Sequence, residues 1–195
     1  MTADYWDTQA TRWGVFSVPD EDYDKYTARQ ADFLVEQLDL GGEAERLIDM
    51  GCGIGRLTYP LAEALPSAHV WGLDPSLAMI QKAKDDSRFA FFSPSSMCDL
   101  FLADSVDGAW CVLVFQHLLE APICKILNDL AVVLRPGARF VSQWMLDVDQ
   151  SFSSRGDVLQ VLEEEGFQNV RYEDDTDVTR LTFAHNWLWV VSEKP

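Results

Sequence analysis

The chain has 195 residues, of which 48% are hydrophobic, a size and composition that suit one domain with a substantial core. Its 15 Lys and Arg against 32 Asp and Glu give a formal net charge of −17, and a surface this negative repels phosphate backbones, which argues against a nucleic-acid partner. Four cysteines without paired spacing, no secretion signal and no apolar run of about 18–20 residues predict a cytoplasmic protein with reduced thiols, no metal centre and no membrane contact.

Helical and strand periodicities alternate along most of the chain, after an N-terminal segment of about 25 residues that is rich in aromatic side chains. Strands are predicted at 47–50, 70–73, 89–92, 106–114, 139–145, 170–172 and 181–191. Helices are predicted at 28–40, 56–65, 75–84 and 122–134, and from Ser154 or Asp157 to Gly166. The last two strands follow each other across an acidic turn without a helix between them, as in a hairpin. The sequence therefore predicts an α/β fold, a doubly wound and mostly parallel seven-stranded sheet with a C-terminal antiparallel hairpin.

The turn after the first predicted strand is the most informative motif, and it reads Asp49-Met50-Gly51-Cys52-Gly53-Ile54-Gly55. Glycine at every second position removes the Cβ atoms that would keep a ligand off the backbone, and the helix that follows presents free amide groups. A nucleotide-like cofactor is therefore expected. The nicotinamide fingerprint G-x-G-x-x-G would need its third glycine where Arg56 stands, and Asp49 suits an ammonium group better than a pyrophosphate. A nicotinamide-dependent oxidoreductase is thus a disfavoured alternative.

This glycine pattern resembles motif I of the class I S-adenosylmethionine-dependent methyltransferases, and the resemblance continues in order along residues 28–195. The matching segments are Leu73-Asp74-Pro75-Ser76 after the second strand, the adenine-binding loop at 92–102, the fourth strand and its exit at 107–118, the L-x-P-G-G-x-like turn at 134–139, and Gly166-Phe167. The resemblance implies a Rossmann-like methyltransferase fold with S-adenosylmethionine as cofactor. It also implies a single catalytic domain over 28–195, preceded by an aromatic segment at 1–27 that is a candidate lid.

The resemblance implies a role for each residue around the methionyl and ribose parts of the cofactor. Asp49 is expected to hold the methionyl ammonium, directly or through water. The backbone amides around Gly51 and Gly53 are expected to approach the methionyl carboxylate and sulfonium. Asp74 is expected to accept hydrogen bonds from the two ribose hydroxyls, and the alternative is an N-cap for a helix that begins at Pro75.

On the adenine side, the resemblance implies that Met97 offers its backbone amide to the base and its side chain to the ring face. The family often has an aspartate just before this position, whereas this chain has Ser96, so adenine recognition is expected to rest on Ser96 or Asp99. Cys111 aligns with a position whose carbonyl faces the ammonium, and its thiol is expected to fill the core. The predicted cofactor-binding residues are Asp49, Gly51, Cys52, Gly53, Asp74, Pro75, Ser96, Met97 and Cys111.

Methyl transfer from a sulfonium is an in-line displacement that needs alignment, water exclusion and, for some acceptors, removal of one proton. The predicted catalytic residues are His117, a candidate general base after the fourth strand, and Tyr5. A structural role in the turn is the alternative for His117. The predicted substrate-binding residues are Trp6 and Trp13 in the candidate lid and Trp144 at the end of the fifth strand. Simple packing of the N-terminal aromatics onto the sheet edge is the alternative.

The exit of the fourth strand reads Val114-Phe115-Gln116-His117. It lacks the Asn/Asp-Pro-Pro-aromatic motif that is usual in methyltransferases of nucleic-acid amines and of glutamine amides. Together with the net charge of −17, this favours a small-molecule acceptor. The sequence therefore predicts methyl transfer to a small metabolite. A non-catalytic S-adenosylmethionine-binding protein and a protein methyltransferase are the alternatives.

Overall fold

A seven-stranded sheet organises the chain. The computed structural model describes residues 3–9, 20–40, 46–83, 89–92, 96–147, 151–179 and 186–195. The strands are β1 (Arg46–Met50), β2 (His69–Leu73), β3 (Phe89–Phe92), β4 (Val106–Cys111), β5 (Leu134–Met145), β6 (Gln168–Asp174) and β7 (Trp187–Glu193). The helices are α1 (Ala3–Gln9), α2 (Asp20–Leu38), α3 (Thr58–Ala64), α4 (Leu77–Lys82), α5 (Glu120–Val133), α6 (Arg155–Glu164) and α7 (Asp175–Thr179).

The strand order is β3-β2-β1-β4-β5-β7-β6. The first five strands run parallel to one another, and β7 pairs antiparallel with both β5 and β6. The predicted doubly wound sheet with an antiparallel C-terminal end is confirmed. The chain leaves β1 toward β2 on one side and later returns to β4 on the other, so the order reverses between β1 and β4. In open α/β sheets such a switch point opens a crevice at the carboxyl ends of the strands.

Each face of the sheet has its own apolar layer, because successive residues of a strand point to opposite sides. Leu47 of β1 packs with α2 and α3 residues such as Leu34 and Leu61 on one face. Ile48, the next residue, belongs to the other face, whose core includes Leu127 of α5. The helices therefore cover both faces, which leaves the carboxyl edge of the parallel strands as the place for a site.

The N-terminal part of α2 differs from the prediction, since the helix begins at Asp20 rather than near residue 28. The predicted boundary after residue 27 therefore falls inside a continuous helix. Tyr26, just before that boundary, is 4% exposed, and its hydroxyl accepts a hydrogen bond from Gln143 Nε2 of β5 at 3.1 Å. This part of α2 belongs to the core.

The C-terminal strands also differ, because α7 lies between β6 and β7 where the sequence predicted none. The physical reason is Asp175, an acidic residue that turns inward instead of facing solvent. Its Oδ1 accepts from Trp189 Nε1 at 2.6 Å and from Gln143 Nε2 at 3.0 Å, and its Oδ2 accepts from Thr179 Oγ1 at 3.1 Å. These bonds satisfy a carboxylate that is 3% exposed. The predicted strand start at Leu181 lies outside the described residues.

Candidate active site

The glycine loop after β1 has three glycines in the left-handed region, with φ of 75° at Gly51, 55° at Gly53 and 86° at Gly55. A Cβ at Gly51 would lie 2.2 Å from Val114 Cγ2, and one at Gly55 would lie 2.6 Å from Tyr59 Cε2. A Cβ at Gly53 would meet nothing within 4 Å. The outer two glycines are therefore required by packing within the protein, and Gly53 alone opens onto free space that a ligand can occupy.

Asp49 lies at the end of β1 beside this loop, and it is 3% exposed. Thr58 Oγ1, at the start of α3, donates to Asp49 Oδ2 at 2.6 Å. Burial raises the pKa of Asp49 to about 7, against an opposing effect from Thr58 and the nearby Arg56 cation. A buried carboxylate that is only partly ionised at neutral pH gains much from a cationic ligand.

Asp74 lies at the end of β2 and joins the two neighbouring loops. Its Oδ2 accepts from the backbone amide of Gly53 at 3.0 Å, and its Oδ1 accepts from the amide of Ser76 at 2.8 Å. The N-cap alternative for Asp74 is wrong, because Ser76 is the N-cap of α4 and accepts from the amide of Met79 at 3.1 Å. Pro75 accordingly precedes the helix. Each carboxylate oxygen of Asp74 retains acceptor capacity for a hydroxyl.

We expect Asp74→Ala to weaken binding of S-adenosylhomocysteine by about 10- to 100-fold, because two hydroxyl donors would lose their acceptor. Asp74→Asn retains one acceptor oxygen and is expected to lose less. Titration calorimetry measures both, and Asp32→Ala, which removes an exposed carboxylate of α2, is the control. An unchanged affinity in folded Asp74→Ala protein would show that this carboxylate only braces the loops.

Asp49 leads to a second prediction, on pH. A cationic ligand binds the ionised carboxylate, so the affinity for S-adenosylhomocysteine should fall as the pH drops through 7, approaching about tenfold per unit. The free energy of unfolding should change in the opposite direction. The pKa of Asp49 is about 7 in the folded state against an ordinary 3.8, so its contribution to stability grows as the pH falls from above 7 toward 3.8.

Calorimetry at pH values on both sides of about 7 measures the affinity, and urea unfolding at the same pH values measures the free energy of unfolding. Asp49→Asn should flatten both curves, because it removes the titrating group. An affinity that is constant with pH in the parent protein would exclude Asp49 as the ammonium partner.

The turn that was predicted to bind adenine is held by a residue that the sequence analysis did not identify. A single 3-10 turn, Met97–Asp99, follows the N-cap Ser96. Ser96 Oγ donates to Asp129 Oδ2 of α5 at 2.8 Å, and the backbone amide of Met97 donates to the same oxygen at 3.2 Å. The Met97 amide predicted for adenine is thus engaged by Asp129, and the Met97 side chain is 3% exposed within the core. Only the i, i+4 spacing of Lys125 and Asp129 hints at Asp129 in the sequence, and that spacing is typical of a surface pair.

Both cysteines predicted near the cofactor are buried. Cys111, at the end of β4, has no exposed surface, and Cys52 in the glycine loop is 6% exposed. Burial raises the pKa of both thiols, with the Asp49 carboxylate adding to the effect. The thiols therefore stay protonated and pack in the interior, as expected for Cys111.

The N-terminal helix α1 lies across the carboxyl edge of the sheet. The Trp6 ring packs edge-on against His117, with 4.7 Å between the centroids. On the other side of the crevice, Asp7 Oδ1 accepts from the amide of Ala78 at 3.2 Å and from the Ser76 hydroxyl. α1 is therefore held both at the exit of β4 and at the start of α4. Trp13, predicted as a further aromatic of this segment, lies outside the described residues.

The two predicted catalytic residues lie next to Trp6. Tyr5 packs edge-on against Trp6 at 5.1 Å and is 42% exposed. His117 ends a 3-10 turn after β4, and its Nε2 lies 3.1 Å from Gln116 Nε2. Burial lowers the pKa of His117 to about 4, so the imidazole is neutral and only weakly basic. The contact with Trp6 and the low pKa favour the structural alternative for His117.

Trp144, the predicted pocket-wall residue, lies at the end of β5 and is 2% exposed. Its ring lies 4.3 Å from that of Phe115 and 5.6 Å from that of Phe152, measured between centroids. The three rings line a cleft of about 10 Å³, room for one water. The side-chain oxygen of Gln116, in a residue that also lines the cleft, is buried and finds no hydrogen-bond partner among the residues that the structure describes. Among the described residues, no cluster of three or more His, Cys, Asp or Glu is arranged to hold a metal ion.

Comparisons with known proteins agree with this geometry. A family model described as a methyltransferase domain matches residues 47–137. The ubiquinone/menaquinone biosynthesis C-methyltransferase UbiE of Syntrophotalea carbinolica is 24% identical over 183 residues, covering 73% of this chain and 76% of that protein. The tRNA N(3)-methylcytidine methyltransferase trm141 of Schizosaccharomyces pombe is 25% identical over 123 residues, covering 57% of this chain and 50% of that protein.

A solved structure of geranyl diphosphate C-methyltransferase from Streptomyces coelicolor A3(2) matches with a TM-score of 0.75 at 14% identity, covering 99% of this chain and 97% of that one. This likeness shows the fold. The chain spans only 38% and 37% of the length of two fungal methyltransferases that it also matches. In the described ranges, no helix is long and apolar enough to cross a membrane. The motif order, the sheet topology and the family model agree that residues 47–137 of this chain are a methyltransferase domain with the fold of the class I S-adenosylmethionine-dependent methyltransferases.

Proposed function

We propose that this chain transfers the methyl group of S-adenosylmethionine to a small-molecule acceptor by in-line displacement. The observation that carries the proposal is the open space at Gly53, where an added Cβ would meet nothing within 4 Å. This space adjoins Asp74, whose Oδ2 accepts a hydrogen bond from the Gly53 amide. The loop that contains Gly53 comes directly after β1, which carries Asp49 and lies at the switch point of the sheet. The site thus offers a backbone cradle between two carboxylates.

The residues present fit the cofactor. Asp49 would hold the ammonium of the methionyl part, and the open backbone at Gly53 would let that part approach closely. The amides predicted to face it are already bonded, that of Gly51 to the Leu73 carbonyl and that of Gly53 to Asp74. Asp74 would accept from the ribose hydroxyls. When bound, S-adenosylmethionine supplies an electrophilic methyl group on a sulfonium. The protein's part is then to orient the acceptor and to exclude water.

We assign water exclusion to the segment that precedes α2, with α1 as the lid. Its contacts with His117 and with the start of α4 support this assignment, because they place the helix across the crevice between β2 and β4. Trp6 then offers an apolar surface toward the acceptor side. The alternative, simple packing onto the sheet edge, predicts no special effect on transfer.

The acceptor side lies at the ends of β4 and β5. Phe115, Trp144 and Phe152 pack against one another there and leave room for one water, which would pair with the buried side-chain oxygen of Gln116. The proposal of a small-molecule acceptor therefore rests on the net charge of −17 and on the exit of β4, which lacks the Asn/Asp-Pro-Pro-aromatic motif.

The tRNA-modifying relative trm141 favours a second candidate, methylation of a nucleic acid. The net charge of −17 argues against it, because binding of a phosphate backbone depends on basic residues. A protein could also serve as the methyl acceptor, or the chain could bind the cofactor without catalysing transfer.

The test is formation of S-adenosylhomocysteine from S-adenosylmethionine with a metabolite library, unmodified tRNA or a cell-extract protein fraction as acceptor. We expect turnover with one or more metabolites, none with tRNA, and none for the Gly53→Val variant. Turnover with tRNA or protein alone would overturn the small-molecule assignment. Tight binding of S-adenosylhomocysteine without turnover on any acceptor would favour a non-catalytic role.

A further inference from the structure

The turn after β3 is held by a single carboxylate oxygen from another element. Three donors converge on Asp129 Oδ2, namely Ser96 Oγ at 2.8 Å, the Met97 amide at 3.2 Å and Lys125 Nζ at 2.8 Å. Ser96 Oγ in turn accepts from the backbone amide of Cys98 at 3.2 Å. Asp129 therefore bonds directly to the first two residues of the turn and, through Ser96, to the third.

The rest of the turn is fixed by apolar burial. Met97 and Phe101 are 3% and 6% exposed, and the Phe101 amide donates to the Met97 carbonyl at 3.0 Å. Burial of these side chains fixes the position of the turn but not the orientation of its first residues, Ser96 and Met97. That orientation depends on Asp129, whose side chain is only 14% exposed and remains ionised, because the hydrogen bonds from Lys125 and Ser96 outweigh desolvation and lower its pKa.

We propose that Asp129 is a positioning residue for cofactor binding, which holds the Ser96–Asp99 turn in the orientation that receives the adenine base. This rests on the proposed function, in which S-adenosylmethionine binds, and on the resemblance that implies the adenine-binding loop at 92–102. The family often has an aspartate where this chain has Ser96, and Asp129 of α5 supplies a carboxylate to the same place from a different element. The turn is then already ordered before the cofactor binds, so less conformational entropy is lost on binding.

The selectivity for adenine over hypoxanthine tests whether Asp129 positions the turn or only stabilises the fold. The probes are S-adenosylhomocysteine and S-inosylhomocysteine, which differ only in that the adenine amino group is replaced by a carbonyl oxygen. We expect the parent protein to prefer the adenine form. Asp129→Ala should weaken that form by about tenfold and the hypoxanthine form much less, so that the ratio of the two dissociation constants collapses.

Two controls keep the result specific. Lys125→Ala removes an exposed partner of Asp129 but leaves both bonds to the turn, so the ratio should be retained. Glu120→Ala removes an exposed carboxylate from the first turn of the same helix and should change nothing. Asp129→Asn keeps an acceptor oxygen and should recover part of the lost selectivity.

The outcomes are distinguishable. A folded Asp129→Ala protein with the parent's ratio overturns the inference, even if its melting temperature is lower. If that variant does not fold, the same ratio measured in Asp129→Asn and Ser96→Ala decides, and parental selectivity in both overturns the inference. If the parent protein does not bind S-adenosylhomocysteine at all, the proposed function itself fails.

Discussion

Gly53→Val is expected to abolish binding of S-adenosylhomocysteine, with an affinity loss of more than about 100-fold, while most of the sheet remains intact. The position adjoins open space, so a branched side chain there would meet no protein atom within 4 Å and would fill the cradle instead. The φ of 55° adds local strain for a β-branched residue, which is expected to lower the melting temperature moderately. Calorimetry for affinity and circular dichroism for folding measure the two effects separately.

Gly51→Ala is the matched control, because Gly51 lies in the same loop but faces a protein side chain, whereas Gly53 faces open space. Its new methyl group would lie 2.2 Å from Val114 Cγ2, so we expect it to destabilise the fold before it affects binding. Loss of binding at Gly53 with a retained fold, and loss of fold at Gly51, is the expected contrast. Retained affinity in Gly53→Val would mean that this loop is only a structural turn.

Much of the fold could be predicted because it follows from local patterns. The apolar run before Gly51 has the length of a buried strand, and the residues after the loop have the apolar periodicity of a helix; the structure has β1 and α3 there. The Arg135-Pro136-Gly137 segment, predicted as a turn before a strand at 139–145, lies instead within β5, where Gly137 has a φ of 79°. Alternating strands and helices allow few topologies, since parallel crossovers share one hand. The doubly wound, mostly parallel sheet could therefore be predicted from the pattern, whereas the order of its strands was not predicted.

The differences arose where a polar residue is satisfied by a distant part of the chain. Asp175 is buried through bonds to Gln143, 32 residues away, and to Trp189, 14 residues away, so an acidic stretch became α7. Asp129 bonds to a turn 32 and 33 residues away. Local propensity carries no information on such pairs, because an aspartate on a predicted helix is most often solvent-exposed.

In the candidate site, too, some features follow from the local sequence and others depend on distant contacts. Glycine spacing and the acidic ends of β1 and β2 identified the cradle, because these features follow directly from what a close ligand requires. Which glycine opens onto free space depends on Val114 and Tyr59, two neighbours whose side chains fill the space beside Gly51 and Gly55. The position of α1 likewise depends on Trp6 meeting His117, a contact between residues far apart in the sequence.

Deletion of residues 1–16 is expected to leave a folded protein that still binds S-adenosylhomocysteine but loses methyl transfer by about 100-fold or more. α2 begins at Asp20, so the helix that packs on the sheet, with the buried Tyr26, is retained. What is removed is α1, with its contact to His117 and its bonds to the start of α4. Water exclusion and acceptor alignment would be lost with it, whereas the cradle at Gly53 would remain.

Two point variants divide the effect of this deletion. Trp6→Ala removes the contact with His117 but keeps the segment, and it should reproduce most of the loss of transfer if the indole covers the acceptor side. Tyr5→Ala removes a more exposed ring of the same helix and should cost less. The packing alternative predicts instead a lower melting temperature with proportionate loss of binding and transfer, because α1 would then act only through the stability of the sheet edge. A folded, fully active truncation would remove α1 from the mechanism, since transfer would then proceed with the crevice uncovered.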